Sequence, residues 1–357
     1  VTTAQSATLA RDTGRKAGDL RCLFIEDGAQ SAADVTREVI AFIGEAEATL
    51  DIAIYDFHAD NGTTADISAE LVAASTRGIH VRIAYNTEIC THASDARPMQ
   101  CNPHAIASVP VETRAVSTNG SLMHHKYIVR DGETVWTGST NWTDDAFSRE
   151  ENVLIVIDAL PIAAAYTRNF ERLWGKGHTL RSGGTGEEAL LSHGARVQPY
   201  FSPWPPNLSQ VAAARIAAAD RRVRIVSPVL TSGAILGTLA ERAGRARFDL
   251  DGAFDQTQME QVERAWSRIP HNRWKIEAWK AIAPRLAGKI STPYGPDAVH
   301  DYMHAKFIVA DQHVVSGSYN LSKHGEVNAE NVLHIVSDFH SARFSDFADK
   351  IAGRYRD

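Results

Sequence analysis

Two short stretches carry residue types that a strand core would not choose. Ser121–Trp142 reads SLMHHKYIVRDGETVWTGSTNW, and Tyr302–Leu321 reads YMHAKFIVADQHVVSGSYNL. Side chains alternate faces along a strand, so His124, Lys126 and Ile128 share one face, as do His304, Lys306 and Ile308. An apolar core gains nothing from such a face, because a buried ammonium without a partner is expensive. The first stretch turns at Asp131-Gly132 and runs into Gly-Ser-Thr-Asn; the second runs into Gly-Ser-Tyr-Asn. The glycines let backbone approach a ligand, while Ser139, Asn141, Ser318 and Asn320 offer hydroxyl and amide groups. Cation, donors and imidazole together suit a phosphate. Charge is neutralised at the non-bridging oxygens while the imidazole makes a bond or moves a proton.

The two stretches are copies. His124 and His304, Lys126 and Lys306, and Asp131 and Asp311 each lie 180 residues apart. The offset falls to 179 at Gly138/Gly317, Ser139/Ser318 and Asn141/Asn320, and holds there for Glu151/Glu330 and Asn152/Asn331. A repeat this long predicts two similar lobes, not a solenoid of short units. If both sets meet at one site, one histidine attacks phosphorus and becomes a phosphohistidine. The other protonates the leaving oxygen, then activates the water or alcohol that releases the intermediate. Glu151 and Glu330 are the expected partners of the remaining imidazole nitrogens, fixing their tautomers. Asp131 and Asp311 join the catalytic set, with turn formation as their expected part in it. His125 points to the wrong strand face and reads as structural. The chemistry calls for no metal and no other cofactor.

Elements that would position these residues repeat in the same order. Leu23–Gly28 and Gln198–Pro203 read as first strands. A helix follows in each half: one starts at Ser31…Asp34 and lines up Val35, Val39, Phe42 and Ile43, and the other lies near Val211–Ala219. Buried strands come next at Leu50–Phe57 and Val223–Leu230, rich in β-branched residues. Ile67, Leu71 and Ala74 recur at helical spacing, Gly78 caps that helix, and Ile79–Asn86 returns as a strand. Each half closes with a helix, AAAYTRNFERLWGKG and ARFSDFADKIAGRY. The alternation predicts an α/β fold of two lobes, each a mixed sheet flanked by helices, related by a pseudo-two-fold axis with the site between them. The expected division is a first lobe over residues 1–181, a linker over 182–196 opened by SGGTG, and a second lobe over 197–357.

Composition limits the rest. With 357 residues, 44% hydrophobic and 22% charged, the chain can bury a sizeable core. Its net charge of −6 advertises no global affinity for nucleic acid, although a local basic cleft remains compatible with it. The longest apolar run, VLIVIDALPIAAAY, is broken by Asp158 and Pro161, so no membrane span is expected. The first residue is Val1, and a processed or trimmed chain is the expectation. Cys90, His92, Cys101 and His104 share one segment, open to a disulfide, a zinc site or no link at all. A disulfide would favour export.

The duplicated His-Lys-Asp motif resembles the signature of the phospholipase D superfamily, and the segment from Leu50 to Asn86 resembles what precedes it there. That resemblance implies a metal-free phosphodiesterase acting as a monomeric pseudo-dimer, with His124 as nucleophile and His304 as general acid and base. Gly-Ser-x-Asn in both lobes and NAENVL (Asn328–Leu333) are similar to the nuclease branch, which makes DNA or RNA the expected substrate. The alternative is a phospholipase D or phosphatidyl transferase acting on phospholipid head groups. On that reading Trp142, Phe147 and FSPWPP (Phe201–Pro206) form an apolar rim for lipid; on the first they stack on bases.

Overall fold

The computed structural model describes residues 18–87, 103–118, 120–245, 248–295 and 298–356. The first half runs β1 (Asp19–Ile25), α1 (Ala32–Gly44), β2 (Thr49–Ile54), α2 (Ala65–Thr76), β3 (His80–Asn86), α3 (Pro103–Ala107) and β4 (Glu112–Val116). It continues through β5 (Lys126–Arg130), β6 (Thr134–Gly138), α4 (Asp144–Ser148), β7 (Asn152–Asp158) and α5 (Leu160–Lys176). Two short strands, β8 (Gly184–Thr185) and β9 (Ala189–Leu190), lead to β10 (Arg196–Phe201), α6 (Leu208–Ala218), β11 (Arg222–Ser227), α7 (Gly233–Ala243) and β12 (Asp249–Asp255). Then come α8 (Gln256–Ser267), α9 (Arg273–Ile282), β13 (Ala287–Lys289), β14 (Phe307–Ala310), β15 (His313–Gly317), β16 (Asn331–Val336) and α10 (Asp338–Arg354).

One sheet has the order β1-β7-β6-β5-β2-β3-β4. The other, read from β10, has β10-β16-β15-β14-β11-β12-β13, the same order strand for strand. In each, three parallel strands joined by crossovers continue into an antiparallel meander. The duplication is therefore a duplication of topology. Local signals explain the entry of the elements. Ser31 and Asp34 form a reciprocal capping box at α1, whose buried face includes Val35, Val39, Phe42 and Ile43. Ile67, Leu71 and Ala74 are the buried residues of α2, and Gly78 follows it at φ 93, a conformation that favours glycine. The SGGTG run is no free joint: Gly184 and Thr185 pair with Phe201 and Tyr200 at the edge of the second sheet.

Between the sheets lies one continuous core. It joins Tyr127, Val129, Tyr166 and Phe170 of the first half to Phe307, Val309, Phe344 and Phe347 of the second. Each sheet has its own core on the other face, including Phe42, Ile128, Trp136 and Trp142 in the first. Trp142 and Phe147 are almost fully buried, and Trp142 meets Phe57 edge-on at 5.0 Å. They are core residues and form no part of an exposed rim.

Candidate active site

The site forms where the two sheets meet end to end. Isolated bridges pair Met123 with Ala329 and Met303 with Glu151, so the approach to each motif strand is tied to the last strand of the other half. The ends of β3 and β12 hold the same approaches in place. Asn86 Oδ1 accepts from Met123 N at 3.0 Å, and Asp255 Oδ2 accepts from Met303 N at 3.1 Å.

His124 places Nδ1 2.9 Å from Glu330 Oε2, across the lobe boundary. The same oxygen accepts from the Ser318 hydroxyl at 2.6 Å, and Glu330 Oε1 accepts from Asn328 Nδ2 at 3.1 Å. With Nδ1 donating to the carboxylate, Nε2 is left with its lone pair for bonding to phosphorus. The second histidine has different company. His304 Nδ1 lies 3.0 Å from Asn152 Oδ1 and 3.2 Å from Glu150 Oε2. Ser139 donates to that Asn152 oxygen at 2.7 Å, while Asn152 Nδ2 donates to Glu150 at 3.1 Å.

Glu151 thus does not reach an imidazole. The strand ladders explain why: Gly138 pairs with Leu154, whereas Gly317 pairs with Val332. The structural offset in the last strand is 178, not 179, which puts Asn152 at the place of Glu330 and Glu150 at that of Asn328. A slip of one residue turns every side chain to the opposite face. Glu151 instead pairs with Lys289 Nζ at 2.8 Å and accepts from Tyr355. Sequence comparison missed Glu150 and Asn152, because the matching letters Glu-Asn-Val-Leu align one residue away from the matching positions.

Lys126 and Lys306 are both buried. Their ammonium groups donate to the carbonyls of His124 (2.8 Å) and His304 (2.6 Å), folding each cation back beside its imidazole. Burial pushes the Lys306 ammonium well below its ordinary range, and Lys126 adds to the effect. Burial likewise takes His124 down to about 4, and it takes His304 well down with help from Lys306, Lys126 and His124. Burial alone would raise Glu330, but His124 and then Lys126 hold its carboxyl below the usual range. The centre is thus rich in groups that regain their protons when an anion enters.

The remaining predicted residues take other places. Asp131 accepts from the backbone N–H groups of Glu47, Ala48 and Thr49, and Asp311 from those of Asp220, Arg221 and Arg222. Both sit in hairpin turns at positive φ, at the end of the motif strand away from the imidazoles. The Ser139 and Ser318 hydroxyls donate to Asn152 and Glu330, the partners of the two histidines. Asn141 and Asn320 each keep a buried Oδ1 without a protein partner. His125 is buried against Asn331, Tyr127 and Phe201, in the core as expected. Among the described residues no cluster of three or more histidine, cysteine or acidic side chains would hold a metal. Cys90, His92 and Cys101 lie outside the described residues.

Residues 39–174 match the family described as cardiolipin synthase, PLD-like domain. A mitochondrial cardiolipin hydrolase of Xenopus laevis is 33% identical over 141 residues, 39% of this chain and 60% of that protein. The chain thus carries a phospholipase D-like domain over those residues. It spans only part of that curated relative's length. Its fold extends the likeness across nearly the whole chain. Phosphatidylserine synthase from Haemophilus influenzae Rd KW20 superposes with a TM-score of 0.63 at 14% identity, over 93% of this chain and 86% of that one. Polyphosphate kinase from Porphyromonas gingivalis superposes at 0.57 and 11% identity, over 92% of this chain and 46% of that one. The same fold thus serves proteins of differently named activities, and the fold alone does not name a substrate.

Proposed function

We propose that the protein hydrolyses a phospholipid phosphodiester through a covalent phosphohistidine. The observation that carries the chemistry is the crossed arrangement of His124–Glu330 and His304–Asn152/Glu150 beside two buried lysines. His124 Nε2 attacks phosphorus, and His304 gives a proton to the departing ester oxygen. His304 then takes a proton from water, whose oxygen breaks the P–N bond and restores His124. Lys126 and Lys306 neutralise the non-bridging oxygens throughout. Glu330 fixes the Nδ1–H tautomer of His124, so its Nε2 is free to attack.

Lipid is favoured over nucleic acid as substrate, reversing the preference drawn from the sequence. The family match and the curated relative are both named for cardiolipin. Apolar side chains also stand out on loops that leave the sheets at the site's end: Trp204 (51% exposed) after β10, Ile290 (77%) after β13, and Val327 (55%) just before Asn328. Such a rim suits a lipid interface.

One panel tests this, run in EDTA: vesicles of cardiolipin or phosphatidylcholine with and without ethanol, single-stranded and duplex DNA, and RNA. Turnover of lipid that disappears in His124→Ala and in His304→Ala is the expected result. Nucleic-acid cleavage with lipid left intact would restore the nuclease reading. A phosphatidylethanol product would mark a transferase, and loss of activity in the chelator would sink the metal-free mechanism.

A further inference from the structure

The two halves share a topology but not the chemistry around their histidines. At His124 the carboxylate is in direct contact and an amide stands behind it, Glu330 with Asn328. At His304 the pair is exchanged: the amide of Asn152 is in direct contact and the carboxyl of Glu150 stands beside it. The orientation of Asn152 is fixed, because its Nδ2 donates to Ala146 O (3.1 Å) and to Glu150, leaving Oδ1 as the acceptor. Glu150 still reaches Nδ1 of His304 at 3.2 Å. Glu150 is buried and His304 partly so, and the cations acting on Glu150, Lys306 and Lys289, belong to the other half.

We infer that Glu150 is a positioning residue that shares one proton with His304 and makes His304, rather than His124, the acid of the site. The inference rests on the phosphodiester chemistry proposed above. Before substrate arrives, the proton sits on the Glu150 carboxyl facing Nδ1, and His304 is neutral with its own proton on Nε2. Burial favours this distribution at both ends, pushing Glu150 up to about 8 and His304 well down. A phosphodiester anion between the imidazoles reverses it. The proton leaves the carboxyl, so that Glu150 becomes a carboxylate and His304 an imidazolium held by that carboxylate and by Asn152. The imidazolium then passes its Nε2 proton to the leaving oxygen as the P–O bond breaks and the P–N bond to His124 forms. Hydrolysis returns one proton from water to the pair, and the cycle closes with charge balanced. Glu330 cannot play the same part for His124. Its carboxyl is already held ionised by His124 and Lys126, with no proton to lend.

Other groups facing the pair are accounted for. Lys306, Asn152 and Lys289 favour the carboxylate form of Glu150, Asp145 opposes it, and Tyr302 stays neutral beside it. His300, neutral and partly buried, adds a small opposing influence at His304.

The test uses Glu150→Gln in the full chain with two kinds of phosphodiester. One releases an alkoxide, which needs a proton; the other releases a nitrophenolate, which does not. The expected result is a loss of about a hundredfold in kcat on the alkyl ester, in line with removal of general-acid catalysis. KM should change little, and the nitrophenyl ester should lose less than about fivefold. Moving the carboxylate to direct contact, in Glu150→Gln/Asn152→Asp, should recover most of the alkyl-ester rate. Equal losses on both esters, or no loss on either, would overturn the role; so would failure of the double variant to rescue when its melting matches the parent. Because the nitrophenyl ester is not a lipid, the comparison still reads out if phospholipid proves not to be the substrate.

Discussion

The Asp311→Asn substitution separates a staple from a proton carrier. Asp311 Oδ2 accepts from Asp220 N at 2.7 Å, and Oδ1 accepts from Arg222 N at 3.0 Å and Arg221 N at 3.2 Å. Burial would raise this carboxyl, yet the amide hydrogen bonds from Arg222, Asp220 and Arg221 outweigh it and hold it below the ordinary range. Asparagine has the same shape and tolerates the residue's φ of 51, so backbone strain drops out of the comparison. Its Oδ1 keeps two of the three bonds, while its Nδ2 faces the Asp220 N–H with no acceptor between them. Hydrogen bonds to charged groups contribute about 1.5–3 kcal/mol each when well buried. This turn is partly solvated, which reduces the figure, so a net loss of roughly 2 kcal/mol is expected on losing one bond and the charge. Urea titration at pH 7 measures it. The carboxylate's contribution is present above the unfolded carboxyl value near pH 4 and is lost as pH falls through the lower folded value. The gap between parent and variant should therefore close toward pH 3. Turnover per folded molecule should stay within about threefold of the parent. A variant with parental stability and no activity would refute the reasoning and return Asp311 to the chemistry.

Two further outcomes follow from the same geometry. His124, His125 and His334 are all depressed by burial, to about 4, about 4 and about 3. An imidazole depressed in the folded chain favours folding fully above its unfolded value near 6.5, and that support is lost as pH falls toward the folded value. The thermal midpoint should accordingly drop between pH 6.5 and pH 4; a flat profile over that range would contradict the buried neutral state. Gly317→Ala should cost about 2–4 kcal/mol in urea titration, since its Cβ would stand 2.1 Å from Asn331 O and force β15 off β16. An alanine variant as stable as the parent would mean the ladder beside Glu330 is looser than drawn.

Much of the site was legible because the sequence repeats itself. His124, Lys126, His304 and Lys306 were marked by type and spacing, and alternation on a strand placed each pair on one face. What the letters could not convey was the register of the last strand. Glu151-Asn152-Val153-Leu154 and Glu330-Asn331-Val332-Leu333 are identical strings. Pairing across the sheet depends on the distance from the Gly-Ser-x-Asn turn and on anchors distant in sequence, here Lys289 and Tyr355, which draw Glu151 away from the site. The partners of the motif's aspartates and serines were hidden for a related reason. Their acceptors and donors, such as the amides of Glu47 to Thr49 for Asp131, lie some 80 residues away in the chain, with nothing local to announce them.

The buried lysines make a last consequence measurable without any knowledge of the natural substrate. Lys306 is held well below its ordinary value, first by burial and then by Lys126. A bound dianion supplies the missing counter-charge and returns the group toward its usual range. Between those two values the free site carries fewer protons than the occupied one, so anion binding must take up protons from solution. Titrating the protein with inorganic phosphate at pH 8, in two buffers of different protonation enthalpy, reads this directly as a difference in heat. Affinity should also weaken as pH rises, and at a hundred times the Kd phosphate should stabilise the fold by about 2.7 kcal/mol. Lys306→Met removes one titrating group and should lower the uptake, even if weak binding persists through Lys126. Equal heats in the two buffers for the parent protein would mean that Lys306 already carries its proton in the empty site, and that the strained positive centre described here does not exist.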